Sequence, residues 1–433
     1  MTKKHINIVT LGCPKNIVDS EALLRQLRAG GYTTSHNPRD ILPGDVIINT
    51  CGFINDAKEE SIDTILRFIS AKNERKINRL FVMGCLSQRY MAVLRKEIPE
   101  VDQYFGVNDM TGILVELGLT QRKDLLGERT LSNPSHYAWL KISEGCDRTC
   151  AFCAIPMIRG QYVSKPFETI IKEASFLDSK GVRELILIAQ DLTYYGLDLY
   201  RKQRLPELIY ELLGFRSFEW IRLHYLYPSY FPPQLITVMQ NNDRVCNYID
   251  LPVQHISDRM LKLMRRSHGR KETEELLNRL RKELPDAAFR TTLITGHPGE
   301  TEEDFVELKE FITGFRFERL GVFTYSHEEE TYAGDNYRDE IPEEVKNERA
   351  AELMEIQQGI SLEINRSRIG EVVKVLVDRR EGDYHIGRTE HDSPDIDQEV
   401  LIPANRDLTS GKFYDIRITD GAEFDLSGIP ENI

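Results

Sequence analysis

The segment EGCDRTCAFCAIP sets Cys146, Cys150 and Cys153 in a C-x3-C-x2-C run. Thiolates are soft ligands that select zinc or iron–sulfur sites, yet a structural zinc site takes four protein ligands. The bacterial ferredoxin run, C-x2-C-x2-C-x3-C, gives its four-iron clusters four cysteines each. Here the run closes after three, and the next cysteine, Cys246, lies far along the chain. Three thiolates on a four-iron cluster leave one iron without a protein ligand. An open coordination site suits a reaction, and a simple electron carrier has no use for one. The spacing therefore points to a reactive cluster, with structural zinc as the alternative.

A second triplet, Cys13, Cys51 and Cys85, is dispersed in sequence. Any one of these alone reads as a small buried hydrophobe. As a set, each stands just past an apolar run: HINIVTL (5–11), DVIINT (45–50) and RLFVMG (79–84). Helical stretches at 17–31, 56–72 and 86–97 alternate with these runs, the pattern of a parallel sheet covered on both faces. Ligands gather beyond the carboxyl ends of strands in such sheets, so the three cysteines are expected to converge on one edge. The sharper reading is a second three-thiolate cluster, whose open iron could hold an external sulfur species.

The elements that must position both triplets fall into three parts of an α/β chain. Residues 1–125 form the parallel-sheet, cluster-binding domain, and 126–138, with Gly127, Asn133, Pro134 and Ser135, read as a linker. Across 139–340 six strand-like runs (139–143, 184–190, 220–226, 247–253, 289–295, 319–326) alternate with helical stretches. Six βα units fall short of the eight of an intact barrel. An open six-stranded (βα) barrel is expected, its gap admitting a large substrate. Cys146 follows the first of these strands, at the end where barrel enzymes hold their chemistry. A connecting helix at 341–363 leads to short runs at 371–378, 384–390, 399–404, 412–420 and 423–428, which read as a small antiparallel β-barrel over 364–433.

Composition agrees with this plan. A chain of 433 residues calls for two or three domains. No apolar run is long enough to span a membrane. The MTKKHINIV start lacks the apolar core of a secretory signal, so a cytoplasmic protein is expected, and there thiols serve metals more often than disulfides. The net charge is −13, and residues 364–433 carry nine Lys or Arg against fifteen Asp or Glu. Such a surface disfavours stable nucleic acid binding and favours a basic protein partner.

The C-x3-C-x2-C run after a first barrel strand resembles that of radical S-adenosylmethionine enzymes. The resemblance implies that the open iron chelates S-adenosylmethionine, and that one electron then yields a 5′-deoxyadenosyl radical. It also implies that Phe152 lies near the adenine, and that TGHPGE (295–300), with Gly296 and Gly299, lies near the ribose. By themselves, Phe152 reads equally as a core aromatic and the glycines as an ordinary strand-to-helix turn.

More specifically, TLGCPKNIVDSE (10–21), NTCGFI (49–54), MGCLSQR (83–89), LPVQHISDRMLKLMRR (251–266) and YSHEEET (325–331) resemble segments of the methylthiotransferases, and the C-terminal barrel is similar to their TRAM domain. That family implies two 4Fe-4S clusters, S-adenosylmethionine as both methyl donor and radical source, an electron donor such as flavodoxin or ferredoxin, and a sulfur source. Pro14, Lys15 and the RTEHDSPDID segment (388–397) resemble the branch acting on the β-carbon of an aspartate in small-subunit ribosomal protein twelve, a basic protein. Glu330 and Gln398 stand where that branch implies glycine. The alternatives are methylthiolation of a tRNA adenosine and, outside enzymes, a two-cluster electron carrier.

Remaining candidates come from position alone. Asp191, Tyr194 and Tyr195 follow the second barrel strand, and Gln254 and His255 the fourth, at the end expected to hold the chemistry. Arg159, six residues past Cys153, could pair with a carboxylate of cofactor or substrate or form a surface ion pair. Cys246 reads as a small buried residue. His36, His268 and His391 show no metal-ligand spacing, and no phosphate-binding glycine pattern occurs.

Overall fold

Apolar runs buried along their whole length build the first sheet. In the computed structural model, which describes residues 4–132 and 134–431, these are β1 (His5–Thr10), β3 (Asp45–Thr50) and β4 (Leu80–Gly84). Two edge strands, β2 (Thr33–His36) and β5 (Gln103–Tyr104), complete the order β2-β1-β3-β4-β5, all parallel. Alternate side chains serve opposite faces. Ile6, Ile8, Ile47 and Phe81 meet Leu23, Leu24 and Leu27 of the helix Pro14–Ala29. Val46, Ile48, Leu80 and Val82 meet Ile65 and Phe68 of the helix Asn55–Asn73. The edge strands escape a pattern search because TTSH and QY are short and polar; pairing to β1 and β4 holds them.

The segment read as a linker is strapped down. Arg129 is buried and pairs with Glu21 at 3.0 Å and Glu173 at 3.1 Å. His136 meets Asp378 of the C-terminal barrel at 2.7 Å. Asn133 lies outside the described residues.

The central domain opens with β6 (Tyr137–Lys141) and a small antiparallel pair, β7 (Ser143–Glu144) and β8 (Val163–Ser164). It continues through β9 (Glu184–Ile188), β10 (Trp220–Leu223), β11 (Tyr248–Asp250), β12 (Ala288–Thr295) and β13 (Arg319–Thr324). Two parallel triplets, β6-β9-β10 and β11-β12-β13, join where Ile221 bridges Val245. Among the described residues β6 and β13 do not pair with each other, so the six-stranded barrel is open. Leu185, Leu187, Phe289 and Leu293 point outward into the helix layer. The helix Glu343–Ser367 extends that layer, burying Leu353 and Ile360. On the inner side of β12, Arg290, Thr292 and Ile294 stay half-buried, next to the barrel's interior space.

Five strands close the last domain: β14 (Val372–Glu381), β15 (Tyr384–Arg388), β16 (Val400–Pro403), β17 (Phe413–Gly421) and β18 (Leu426–Pro430). All pairings are antiparallel except β16–β18. A closed ring with an odd number of strands must contain at least one parallel pair. The 388–397 segment leaves this barrel and plugs the floor of the central one. His224 meets Ser393 at 2.8 Å, the Tyr248 hydroxyl donates to Asp397 at 2.7 Å, and Arg319 donates to Asp392 at 2.9 Å. Arg388 pairs with Glu184, itself paired to Arg222, all fully buried. Cys246 is buried beside Trp220, Tyr248 and Leu376, as a small packing residue. Among the described residues no helix is long and apolar enough to cross a membrane.

Candidate active site

The carboxyl edge of the first sheet carries the dispersed triplet. Cys13 caps the helix Pro14–Ala29, whose first turn tolerates Pro14 because the amide it lacks has no helical partner there. Cys51 directly follows β3, and Cys85 opens the helix Cys85–Glu97. Two of these cysteines thus stand at helix N-termini, where the dipole favours thiolate. Gly12 sits at φ 82°, and a β-carbon there would lie 2.7 Å from Cys51 Cβ; only glycine lets the first loop close on the second. Asn16 ties the loops, its Nδ2 donating to the carbonyls of Leu11 at 2.8 Å and Thr50 at 3.1 Å.

The second triplet lies on the loop between β7 and β8. Cys146 N–H donates to the Gly160 carbonyl at 3.1 Å, and Cys153 N–H to that of Cys150 at 3.2 Å. The sulfurs receive donors: Arg148 N–H approaches Cys146 Sγ at 3.4 Å, and Arg266 Nη1 approaches Cys150 Sγ at 3.4 Å. Both guanidiniums lie over the Tyr227 ring, at 4.0 and 4.3 Å from its centroid.

Arg159 joins the two sites. It donates to Glu144 Oε1 at 2.7 Å and Asn16 Oδ1 at 2.6 Å, and its Nη2 lies 3.6 Å from Cys85 Sγ. Cys85 also packs with Ala154 and Ile158, just past Cys153. Lys141 reaches Glu144 Oε2 at 2.6 Å and also pairs with Asp19. Burial alone would raise the Glu144 pKa, but Lys141 and Arg159 outweigh it and hold the carboxyl down at about 2. Burial lowers the Lys15 pKa, and Cys13 raises it in part.

These residues suit iron–sulfur ligation. All six cysteines are free thiols. Burial pushes Cys85 and Cys146 up to about 11 and raises Cys51 and Cys153 as well. Holding them as thiolates therefore takes positive charge at the sulfurs, which a bound metal cluster supplies. A single zinc ion needs every thiolate within about 2.3 Å of one point. Among the described residues no three His, Cys, Asp or Glu groups are so placed as to hold one metal ion.

Other expected residues divide into two groups. Phe152 and the 295–300 turn come together: the Phe152 ring meets His297 edge-on at 6.4 Å. Gly296 and Gly299 both have positive φ. Tyr194 is half-buried and stacks on Tyr162 at 4.8 Å. Gln254 is half-buried, with its backbone paired to β12.

The second group is spent inside the protein. Arg159 is buried rather than on the surface, and internal carboxylate, amide and thiol groups occupy it. Asp191 caps the turn at Thr193 and pairs with Arg148 at 2.8 Å; it steadies the residue that touches Cys146. Tyr195 turns into the helix-side core, its hydroxyl donating to the Lys165 carbonyl. His255 is fully buried, 3.3 Å from Glu300. Glu300 in turn accepts from Gly296 N–H at 2.8 Å and Arg349 at 2.6 Å, so His255 braces the turn from beneath. His36 bonds the hydroxyls of Thr10 and Ser132, and His268 that of Thr273.

Position alone missed Asn16, Asp19, Lys141, Glu144, Arg148 and Arg266. Some signal was present. Asn16 and Asp19, three apart on the helix after Cys13, share a face, and Arg148 lies between Cys146 and Cys150. Nothing in sequence pairs Arg266 with Cys150.

Three family models match the chain: uncharacterized protein family UPF0004 at 5–106, the radical SAM superfamily at 140–312, and the TRAM domain at 369–430. A ribosomal protein uS12 methylthiotransferase RimO of Bacteroides thetaiotaomicron is 55% identical over 427 residues, covering 98% of each chain. The RimO of Christiangramia forsetii is 53% identical over 434 residues, covering 100% of this chain and 96% of its own. Among solved structures, the radical S-adenosylmethionine methyltransferase TsrM of Kitasatospora setae shares the fold. Its TM-score is 0.57 at 13% identity, covering 77% of each chain.

Proposed function

Because the chain belongs to the RimO family of ribosomal protein uS12 methylthiotransferases, we propose that it places a methylthio group on the β-carbon of an aspartate in uS12. Cys146, Cys150 and Cys153 would hold one 4Fe-4S cluster, and Cys13, Cys51 and Cys85 a second. When bound, the first supplies a 5′-deoxyadenosyl radical from S-adenosylmethionine and the second carries the sulfur to be transferred. Arg266 holds charge against the first set of sulfurs and Arg159 against the second, while Arg148 gives Cys146 its backbone N–H. Phe152 and the Gly296–Gly299 turn, braced by Glu300, would flank the nucleoside. Val18, Trp139, Ile186 and Ile188 form a buried apolar wall beside the site.

One observation carries the reading: Arg159 contacts Cys85 of one triplet and Glu144, two residues before Cys146 of the other. The two sites thus share one seam, where sulfur and radical can meet a single carbon. The acidic C-terminal domain favours a basic protein substrate over RNA. An electron donor such as flavodoxin or ferredoxin, a sulfur source and a cytoplasmic setting complete the proposal. The test offers anaerobically reconstituted protein, with S-adenosylmethionine, reductant and sulfide, both uS12 and tRNA. Mass spectrometry should find one methylthio group in place of a hydrogen on uS12; its appearance only on tRNA overturns the proposal.

A further inference from the structure

Along the seam between the triplets, cations outnumber carboxylates. Lys15, Lys141 and Arg159 face Asp19 and Glu144. Lys141 takes Asp19 and one oxygen of Glu144, and Arg159 takes the other. Lys15 pairs with neither carboxylate. Among the described residues the Lys15 ammonium makes no hydrogen bond or ion pair, although the residue is only 7% exposed. Its neighbour is the face of Tyr225, with Nζ 3.8 Å from the ring centroid. A cation–π contact offsets part of the cost of burying an ammonium; an unpaired buried charge still calls for an anion.

The position says which anion. Lys15 lies in the first helical turn, two residues past Cys13. Tyr225 follows β10 at the carboxyl end of the barrel and packs with Val18, Trp139, Ile186 and Ile188. Its backbone is fixed: the amide donates to Asp250 at 2.8 Å and the carbonyl accepts from Leu192 at 3.0 Å. The ammonium therefore stands on a rigid aromatic platform between the dispersed triplet and the barrel mouth.

We propose that Lys15 anchors the carboxylate of the substrate aspartate, an assignment that rests on the function proposed above. The β-carbon is bonded directly to the carboxylate carbon, so fixing the carboxylate fixes the C–H to be replaced. A carboxylate here also gives the Lys15 ammonium a charged partner, which a carboxamide cannot do.

The test uses full-length reconstituted holoenzyme and two forms of uS12, one with the target aspartate and one with asparagine in its place. Anaerobic titration measures the affinity of each form for wild type, Lys15→Gln and Lys15→Arg. Wild type should prefer the aspartate form by about 30-fold or more, the lower bound expected when one partner of a buried charge pair is removed. Lys15→Gln should bring the ratio to within about 3-fold, and Lys15→Arg should keep part of it. Equal weakening of both forms by Lys15→Gln overturns the assignment, since a merely structural lysine acts that way. If Lys15→Gln loses its iron, wild type still decides, because equal affinity for the two forms overturns the assignment without any variant. Methylthiolation of tRNA and not uS12 by wild type would instead overturn the functional reading.

Discussion

Arg159 Nη2 lies 3.6 Å from the sulfur of Cys85, although Arg159 follows the other cysteine triplet in sequence. The same guanidinium grips Glu144 and Asn16, so one buried cation links the loops of both sites. Glu144, Asp19, Cys85 and Cys13 all raise the Arg159 pKa, against the lowering effect of burial. The charge is therefore permanent.

Replacing Arg159 by Met keeps most of the volume and removes the charge. Glu144 then keeps Lys141 but loses the second of its two cations, so the cost stays below the about 3–5 kcal/mol of leaving a buried charge wholly unpaired. Methylthio transfer should fall about 100-fold or more, and thermal unfolding should shift downward. Arg159→Lys should recover little, because a single ammonium cannot span Glu144, Asn16 and Cys85. Transfer within a few-fold of wild type in Arg159→Met would sink the linking role.

The two triplets should separate by product. Cys150→Ala is expected to abolish 5′-deoxyadenosine formation from S-adenosylmethionine and reductant. Cys51→Ala should retain that product and lose sulfur transfer. Chromatography of the nucleoside and mass spectrometry of uS12 report the two outcomes independently. Undiminished methylthiolation by Cys51→Ala would remove the role given to the dispersed triplet.

Docking of the C-terminal barrel should weaken in acid. Asp378 pairs with Arg388 at 2.6 Å and His136 at 2.7 Å. Burial alone would raise its pKa, but Arg388 and His136 lower it from 3.8 to about 2. A carboxyl depressed in the folded state adds stability above its unfolded pKa and loses it as pH falls toward the folded value. The contribution is on the order of 2 kcal/mol at neutral pH, and it should fade between about pH 4 and pH 2. Unfolding curves across that range test it, and Asp378→Asn should flatten them. An unchanged acid limb in the variant would contradict the assignment.

Glu330 occupies a left-handed backbone position, φ 62°, with its side chain exposed. A β-carbon there costs about 1–2 kcal/mol, so Glu330→Gly should stabilise the fold by about 0.5–1 kcal/mol after the entropy of glycine is counted. The measurement is a denaturant midpoint at constant slope. A lower midpoint would show that the Glu330 carboxylate outweighs the strain.

The parts of this protein governed by local spacing were legible from its residues alone. C-x3-C-x2-C is a covalent distance, and strand and helix periods determine which residues share a face. Those two rules suffice for both cysteine triplets, the parallel sheet, the open barrel and the small closed barrel. The glycine at 330 was implied by the family resemblance and by no such rule, and the backbone there has positive φ. Side-chain partners obey no such spacing. Arg89 and Glu328 meet at 2.5 Å across 239 residues of chain, and Arg266 finds Cys150 across 116. The 388–397 segment becomes the floor of a barrel that was complete in sequence well before it. His255 and Asp191 lie where chemistry was expected, yet one braces a turn and the other steadies Arg148. Burial creates these pairings: a charge removed from water must meet whatever partner packing brings within reach, and packing brings together elements that no local pattern connects.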